Sequence, residues 1–197
     1  MRNRWRVYPD DVVVWRSELP DLDDDRLGAW SGAVLAAGTE TEVLIPITPV
    51  PEGPLPFAGV MRTATRLAYA NSDGNVVERK VADMADLVAA VSTPSAPVHD
   101  RALNVMSLRP VYGGVSTPVG IPTDIWLPQT SPFEYGMGPD DLVDNSMLAA
   151  IHTPRLNAFL AAVRTATEEA GGTWSLDRER TLERFLPLVD DAGVLLD

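Results

Sequence analysis

The sequence predicts an α+β fold with a mixed, mainly antiparallel β region, a C-terminal cluster of about three helices and long proline-rich extended segments. Three observations support this prediction. Runs rich in valine, threonine and aromatic residues are typical of strands. Apolar residues recur at helical spacing in the last third of the chain, and prolines cluster in two long stretches. With 45% hydrophobic content, the 197 residues suffice for one core of ordinary size.

The first part of the chain, residues 1–57, is predicted to hold a strand, a helix and a proline-rich arm. The run "WRVYPDDVVVWR" is typical of a strand. The alternation at its start would place Arg2, Arg4 and Arg6 on one strand face, as in an edge strand or a docking arm. After the helix, "TEVLIPI" predicts a second strand, and the arm follows with five prolines between residues 46 and 56.

The helix of this part is predicted in "DRLGAWSGAVLAA", where Leu27, Trp30 and Val34 recur at helical spacing. An aspartate of the preceding tract "ELPDLDDDR" is expected to cap the helix, and Gly38 is expected to end it. The tract lacks the spaced ligands of an EF-hand loop, so a solvated turn is favoured over a cation site.

Residues 58–197 are predicted to form the main α+β domain, and the two parts together are expected to form one compact unit. Its β region begins with a hairpin over residues 65–81, because two β-capable runs flank the turn sequence "SDGN". A helix in "ADMADLVAAVS" and a strand ending near Pro110 follow. The stretch from Gly113 to Gly138 is predicted to be an irregular connection, since four prolines interrupt it.

Three helices are predicted in the C-terminal part. The first begins at "GPDD" and ends at His152, because Thr153 and Pro154 are typical of a new helix start. The second runs from there to Gly171, and the third covers about residues 176–189 and buries Leu182 and Phe185. A last strand is expected in "GVLLD". At the end of a helix, the imidazole of His152 would have a modestly raised pKa.

The composition excludes several classes of function. The chain has no cysteine, which excludes disulfides, thiolate metal sites and a cysteine nucleophile. Its 28 acidic and 16 basic residues give a net charge of -12, so nucleic-acid binding is not expected. The sequence contains neither a signal-peptide core nor a run of about 18 apolar residues. We therefore expect no membrane partner and a cytoplasmic location, or a virion location if the chain is phage-encoded.

Candidate catalytic residues are few. His99 lies beside Asp100 in a loop-like stretch, and Glu134 is a further carboxylate for acid–base chemistry. The alternative is a surface histidine without a catalytic role, which the absence of a nucleophile motif favours. Neither a metal site nor a cofactor is expected, because the two histidines lack ligand spacing and no nucleotide-binding glycine motif occurs.

Candidate binding residues lie in the proline-rich stretches. Aromatic side chains on stiff, irregular segments are typical anchors at protein interfaces, because stiffness lowers the entropy lost on binding. The alternative, equally favoured, is that these aromatic residues cover the protein's own core. The candidates are Trp126, Phe133, Tyr135, Pro49, Pro54 and Phe57.

Two functional hypotheses follow. The first is a non-catalytic subunit of a bacterial or phage assembly that docks on protein partners or on its own copies through the extended stretches 46–56 and 118–132. The arginine-rich, lysine-poor composition, typical of a GC-rich genome, favours an actinobacterial or phage origin. The alternative is a small cytosolic enzyme, a hydrolase or a biosynthetic tailoring enzyme, that uses His99 with nearby carboxylates.

Overall fold

The structure is a computed structural model. It describes residues 8, 10–41, 43, 69–70, 76–77, 104–105, 109–111, 113–130 and 143–196.

Within these ranges the chain forms two α-helices, two 3₁₀ helices and eleven short or medium strands. The α-helices are α1 (Asp24–Glu40) and α2 (Ser146–Glu169), and the 3₁₀ helices are Asp124–Trp126 and Glu183–Leu188. The strands are β1 (Val13–Pro20), β2 (Tyr69–Ala70), β3 (Val76–Val77), β4 (Asn104–Val105), β5 (Arg109–Val111), β6 (Gly114–Ile121), β7 (Gln129–Thr130), β8 (Val143–Asp144), β9 (Thr173–Leu176), β10 (Val189–Asp190) and β11 (Gly193–Val194).

The main sheet has five strands, and β1 lies at its centre. On one side β1 pairs antiparallel with β6 over its whole length, from Val13 opposite Ile121 to Pro20 opposite Gly114. On the other side it pairs antiparallel with β9, which is an edge strand. Both β4 and β5 pair with the far side of β6. The sheet therefore joins strands that are far apart along the chain.

Helices α1 and α2 cover one face of this sheet. The side chains of Val13, Trp15, Ser17 and Leu19 alternate along β1 and are buried, as expected for the core face of a strand. The hydroxyls of Ser17 and Thr167 lie 2.9 Å apart, which places α2 on this face. Trp30 of α1 donates its indole N–H to the same Thr167 hydroxyl at 3.2 Å. The core lies between this face and the two helices.

The coarse prediction of an α+β fold with antiparallel pairing is confirmed for the described residues. The predicted hairpin is confirmed at four residues, since Tyr69 lies opposite Val77 and Ala70 opposite Val76. The terminal strand is confirmed as β11, which pairs with β10.

The predicted aspartate cap at the start of α1 is also confirmed. Asp23 caps the helix, because its carboxylate accepts the backbone N–H of Arg26 at 2.8 Å. The predicted end at Gly38 is wrong by two residues, since α1 continues to Glu40. Gly38 is buried, and its carbonyl accepts the N–H of Val43 at 2.9 Å. The turn that follows the helix thus satisfies this carbonyl.

The prediction of an irregular connection from Gly113 to Gly138 is wrong over its first half, because residues 114–121 form β6. Pro118 lies in the middle of this strand. The backbone N–H and carbonyl of Val14 bond to Thr181 and Asp177 on the β9 side, so the backbone groups of the residues next to Val14 point toward β6. The β6 residues opposite those neighbours point their own backbone groups toward β1. Pro118 alternates with them, so its nitrogen points away from β1, toward the side of β4 and β5. The described pairs of β4 and β5 on that side do not include Pro118, so the missing N–H breaks none of them.

The prediction of two helices meeting at Thr153 is wrong, because α2 is continuous through Pro154. A proline inside a helix leaves the carbonyl four residues earlier without its usual donor. Here both Pro154 and Ala150 are exposed, so the Ala150 carbonyl is accessible to water, which can take the place of that donor. Buried side chains on both sides of the proline, Ala149 before it and Leu156 after it, anchor both halves of the helix to the core.

The C-terminal cluster of about three helices is not observed in the described ranges. The predicted helix start before residue 143 is wrong at Val143 and Asp144, which form β8. The predicted helix over about 176–189 is replaced by the end of β9, a loop and the second 3₁₀ helix. Phe185 is buried there as expected, but Leu182 is 38% exposed. At the start of this segment, pairing of Leu176 with Trp15 of β1 overrides the helical spacing.

Other predictions lie outside the described residues and remain predictions. These are the basic N-terminal residues 2–6, the proline-rich arm 46–56, the helix in "ADMADLVAAVS" and the division of the chain at residue 57. The described strands β1 and β6, from the two sides of that division, pair in one sheet.

The hydroxyl of Thr167 is the central polar group of the core, and we expect its removal to destabilise the protein. It donates to the carbonyl of Val163 at 2.8 Å and lies within hydrogen-bonding distance of the Ser17 hydroxyl and of the Trp30 indole N–H. In Thr167→Val, the Ser17 hydroxyl and the Trp30 N–H lose their buried acceptor. The free energy of unfolding should fall by about 2 kcal/mol or more, as measured by urea denaturation.

The matched control is Thr165→Val on the same helix. The Thr165 hydroxyl also donates to a backbone carbonyl four residues earlier, at 3.0 Å, but it is exposed. Its removal should change the free energy of unfolding by less than about 0.5 kcal/mol. Equal effects of the two substitutions would contradict a central role for the buried network.

Candidate functional site

Of the residues predicted from the sequence as functional, only Trp126 lies in the part of the chain that the structure describes. The candidate catalytic residues His99, Asp100 and Glu134 lie outside it, so the proposed acid–base group stays a prediction. The same holds for the remaining candidate binding residues, which are Phe133, Tyr135, Pro49, Pro54 and Phe57.

Trp126 ends the first 3₁₀ helix, and its side chain is fully buried in the core cluster. Thr153 of α2 donates its hydroxyl to the Trp126 carbonyl. The indole ring meets the ring of His152 edge to face, with centroids 6.2 Å apart, and the Arg155 guanidinium lies 5.7 Å from the indole centroid. Of the two roles weighed for Trp126, the structure supports packing in the protein's own core.

His152 lies in the second turn of α2 and is 2% exposed. Its Nδ1 is 2.9 Å from the Nη2 of Arg155, one helical turn away. Because a guanidinium only donates, this nitrogen accepts, and the ring proton of the neutral imidazole lies on Nε2. Burial, together with the Arg155 charge, lowers the pKa of His152 from its ordinary value of 6.5 to about 3.

The expectation of a raised pKa at His152 is therefore wrong. It depended on a helix that ends at this residue, where exposed carbonyls would favour a cation. In the continuous helix α2 the imidazole lies in the core instead, and the Arg155 guanidinium beside it is positively charged. A group that stays neutral down to about pH 3 lacks the acidic imidazolium proton near neutrality, so His152 is unsuited to general-acid chemistry.

A second set of buried polar contacts is centred on Asp124, at the start of the first 3₁₀ helix. The carboxylate of Asp124 is fully buried and accepts the Tyr8 hydroxyl at 2.9 Å and the Thr130 hydroxyl. Tyr8 also donates its backbone N–H to the carbonyl of Pro122 at 2.7 Å, and its ring meets Phe185 edge to face. These contacts hold the chain before β1 against the segment that follows β6.

Asn145 joins this segment to the start of α2. Its side-chain amide is fully buried and donates to the carbonyls of Asp124, Ile125 and Leu127, at 3.3, 3.4 and 3.0 Å. These carbonyls belong to a 3₁₀ helix and its end, where helical donors run out. Within the described ranges, the amide oxygen of Asn145 has no hydrogen-bond partner. The amide of Asn145 therefore serves to terminate one helix at the start of another.

Sequence reasoning missed Asp124 and Asn145. A polar residue beside apolar ones, as in "TDIWL", was a signal at Asp124, but the proline-rich surroundings favoured a surface loop. Asn145 directly precedes α2, a position that favours asparagine as a cap, yet the helix was predicted to start earlier.

The chemistry that these groups permit is limited. Among the described residues, no group of three or more histidine, aspartate or glutamate side chains is placed to hold a metal ion. Within the same ranges, no helix is both long and apolar enough to cross a membrane. The side chains of His152, Asp124 and Asn145 bond to other side chains or to the backbone of this protein. These contacts act as internal supports of the fold.

Comparison of the chain with protein-family models, with curated proteins and with solved structures found no match.

The buried imidazole makes stability depend on pH in a defined direction. Its pKa is lower in the folded state than in the unfolded chain, so the unfolded state binds the proton first. The stabilisation is complete above about pH 6.5 and is lost as the pH falls toward about 3. Between pH 7 and pH 5 we expect the wild type to lose on the order of 2 kcal/mol more unfolding free energy than His152→Gln, as measured by urea denaturation at each pH.

The chain has only two histidines, so His152→Gln also assigns the imidazole signals in an NMR titration. The signal that is lost in the variant should not titrate between pH 7 and pH 5. Parallel pH profiles of the wild type and the variant would contradict this prediction.

The amide of Asn145 gives a further prediction. Asn145→Asp should destabilise the protein more than Asn145→Ala, because a carboxylate in place of the NH₂ group faces three carbonyl oxygens and adds a buried charge. We expect a loss of about 1–3 kcal/mol for the alanine variant and a larger loss for the aspartate variant at pH 7. Thermal and urea unfolding measure both. A smaller loss for Asn145→Asp than for Asn145→Ala would show that the amide protons are not the stabilising groups.

Proposed function

We propose that this protein is a non-catalytic subunit of a bacterial or phage assembly, which docks on protein partners or on further copies of itself. The observation that carries the proposal is the state of the buried polar groups. The imidazole of His152, the carboxylate of Asp124 and the amide of Asn145 are engaged inside the protein, and the imidazole is neutral over the physiological pH range. These groups support a rigid scaffold.

The charge of the chain favours a protein partner over a nucleic acid. The net charge is -12, and the acidic residues of the tract at Asp23, Asp24 and Asp25 are exposed at the start of α1. A surface with this excess of carboxylates repels a phosphate backbone. It is compatible with neutral or basic protein surfaces.

Of the two candidate docking segments, 46–56 and 118–132, only the first is retained in the proposal. The stretch 118–132 was a candidate arm, but Pro118 belongs to β6 and Trp126 to the core. Deleting it would remove part of the central sheet. The stretch 46–56, with its five prolines, remains the candidate arm because stiff extended segments lose little entropy on binding.

Replacement of residues 46–56 by a glycine–serine segment of equal length tests the proposal. The replacement keeps the connection but removes the stiffness and the apolar side chains. We expect the native complexes, isolated from cells of the natural source and sized by sedimentation, to be lost or weakened at least tenfold. The unfolding temperature should change by less than about 3 °C, because an arm that docks on a partner adds little to the protein's own core.

A wild-type chain that sediments as a monomer and forms no complex in those cells would overturn the proposal. The enzyme alternative makes the opposite prediction, since His99→Ala would then abolish an activity without loss of stability. The complexes of His99→Ala serve as the control for the arm replacement and should match those of the wild type.

A further inference from the structure

The outer edge of β9 is held closed by a turn near the C-terminus. In the described part of the sheet, β9 pairs with β1 on one side only. An open edge of this kind offers backbone donors and acceptors to any added strand. What covers this edge therefore determines whether the sheet can extend.

Alternation along β9 identifies the groups that face outward. The backbone of Val14 bonds toward the β9 side, so Arg16 and Glu18 face their partners Ser175 and Thr173. Trp174 and Leu176 then turn their backbone groups to the outer edge. The N–H of Leu176 confirms this direction, because it donates to the Asp191 carboxylate at 2.8 Å.

The turn that supplies this carboxylate lies between β10 and β11 and is held by two indoles. Trp15 donates its N–H to the carbonyl of Asp190 and Trp174 donates to the carbonyl of Asp191, each at 2.8 Å. The Asp190 carboxylate accepts the N–H groups of Ala192 and Gly193, which lie two and three residues further along the chain. The turn is thus preorganised to present the side chain of Asp191 to the edge.

The hairpin of β10 and β11 is in turn fixed to α2. The side chain of Asn157 both donates to the carbonyl and accepts from the N–H of Val194, each at 2.9 Å. Gly193 has a φ of +137°, and a Cβ there would lie 2.3 Å from the Asn157 oxygen. Only glycine fits this position, so the hairpin remains attached to α2 if the Asp191 contact is lost.

One backbone position of the edge remains open. The outward N–H and carbonyl of Trp174 have no hydrogen-bond partner among the described residues. In β-sheet geometry, one such position pairs with the same position of an identical strand about a two-fold axis, and the two residues exchange both bonds. The open edge is therefore self-complementary at Trp174.

Charge favours a second copy of this chain as the added strand. The four residues of β9, "TWSL", carry no charge, so two copies would meet without like-charge repulsion. Charged residues lie on both sides of it, at Glu168 and Glu169 before the strand and at Asp177 and Arg178 after it. A foreign acidic or basic strand finds no complementary charge on β9 itself.

We propose that the turn Asp190–Ala192 is a strap that closes the outer edge of β9, and that its release lets a second copy of this chain pair antiparallel along β9, centred on Trp174. This inference rests on the proposed function as an assembly subunit and assigns its contact between copies. In the paired state, Leu176 donates to the carbonyl of Gly172 in the second copy in place of Asp191.

Engineered cysteines test the pairing, because the chain has none of its own. Pairing centred on Trp174 places Thr173 opposite Ser175 of the second copy, in a pair without hydrogen bonds. Such pairs have Cα atoms about 4.5 Å apart, within the range of a disulfide. A mixture of Thr173→Cys and Ser175→Cys, both at exposed positions, should therefore cross-link several-fold more than either variant alone.

The strap is tested by Asp191→Ala and Asp191→Asn in these cysteine variants. Alanine removes the acceptor of the Leu176 N–H, while asparagine keeps an oxygen there. We expect about tenfold more mixed cross-link with alanine than with asparagine. Trp174→Phe, which removes only the indole donor to Asp191, should give an intermediate yield. Circular dichroism of each variant confirms that it is folded, and the phenylalanine variant provides the comparison if the alanine variant is not.

Equal cross-linking in mixed and single samples would overturn the pairing, and equal yields in all strap variants would overturn the strap. The wild-type native mass separates these outcomes from the proposed function. A multi-subunit complex without the mixed cross-link would overturn this inference alone, whereas a monomer without partners would overturn the proposed function.

Discussion

The pairing of β1 between β6 and β9 is the constraint on which the rest of the structure depends. This strand, from the N-terminal part of the chain, brings together β6 from the middle and β9 from the C-terminal part, and it is buried along most of its length. Helices α1 and α2 cover its core face. The hydroxyl of Thr167 on α2 links them to it by hydrogen bonds with Ser17 of β1 and Trp30 of α1. The backbone of β1 also positions β9, and with it the edge that Asp191 covers.

Polar groups inside this protein define its geometry. Thr167 fixes the helices on the sheet, Asn145 joins a 3₁₀ helix to α2, and Asp124 holds Tyr8. The hydrogen bonds of these side chains are directional, so each bond restricts how the apolar surfaces can pack. The neutral imidazole of His152 belongs to the same set, and its low pKa is a consequence of packing. This internal use of polar groups is the observation on which the proposed scaffold function rests.

Part of the candidate site was accessible from the sequence, and part was not. Trp126 stood out as a large aromatic residue among prolines, but the choice between interface and core needed the position of α2, which buries it. His152 was recognised beside a proline, yet its environment depended on Arg155 and on a helix that continues. Asn145 carries a local signal for a helix cap, but its actual partners are carbonyls about twenty residues earlier.

The sequence by itself determined the α+β class, the strand at "VVVWR", an aspartate cap for α1, the strand pair beside "SDGN" and the terminal strand, because these depend on local periodicity, capping and turn residues. Only the tertiary structure decided that Pro118 lies in a central strand, that α2 passes through Pro154 and that Leu176 is β rather than helical. In each case a long-range contact outweighs the local preference: a strand edge that needs no proline N–H, a core on both sides of a helix, and pairing with Trp15.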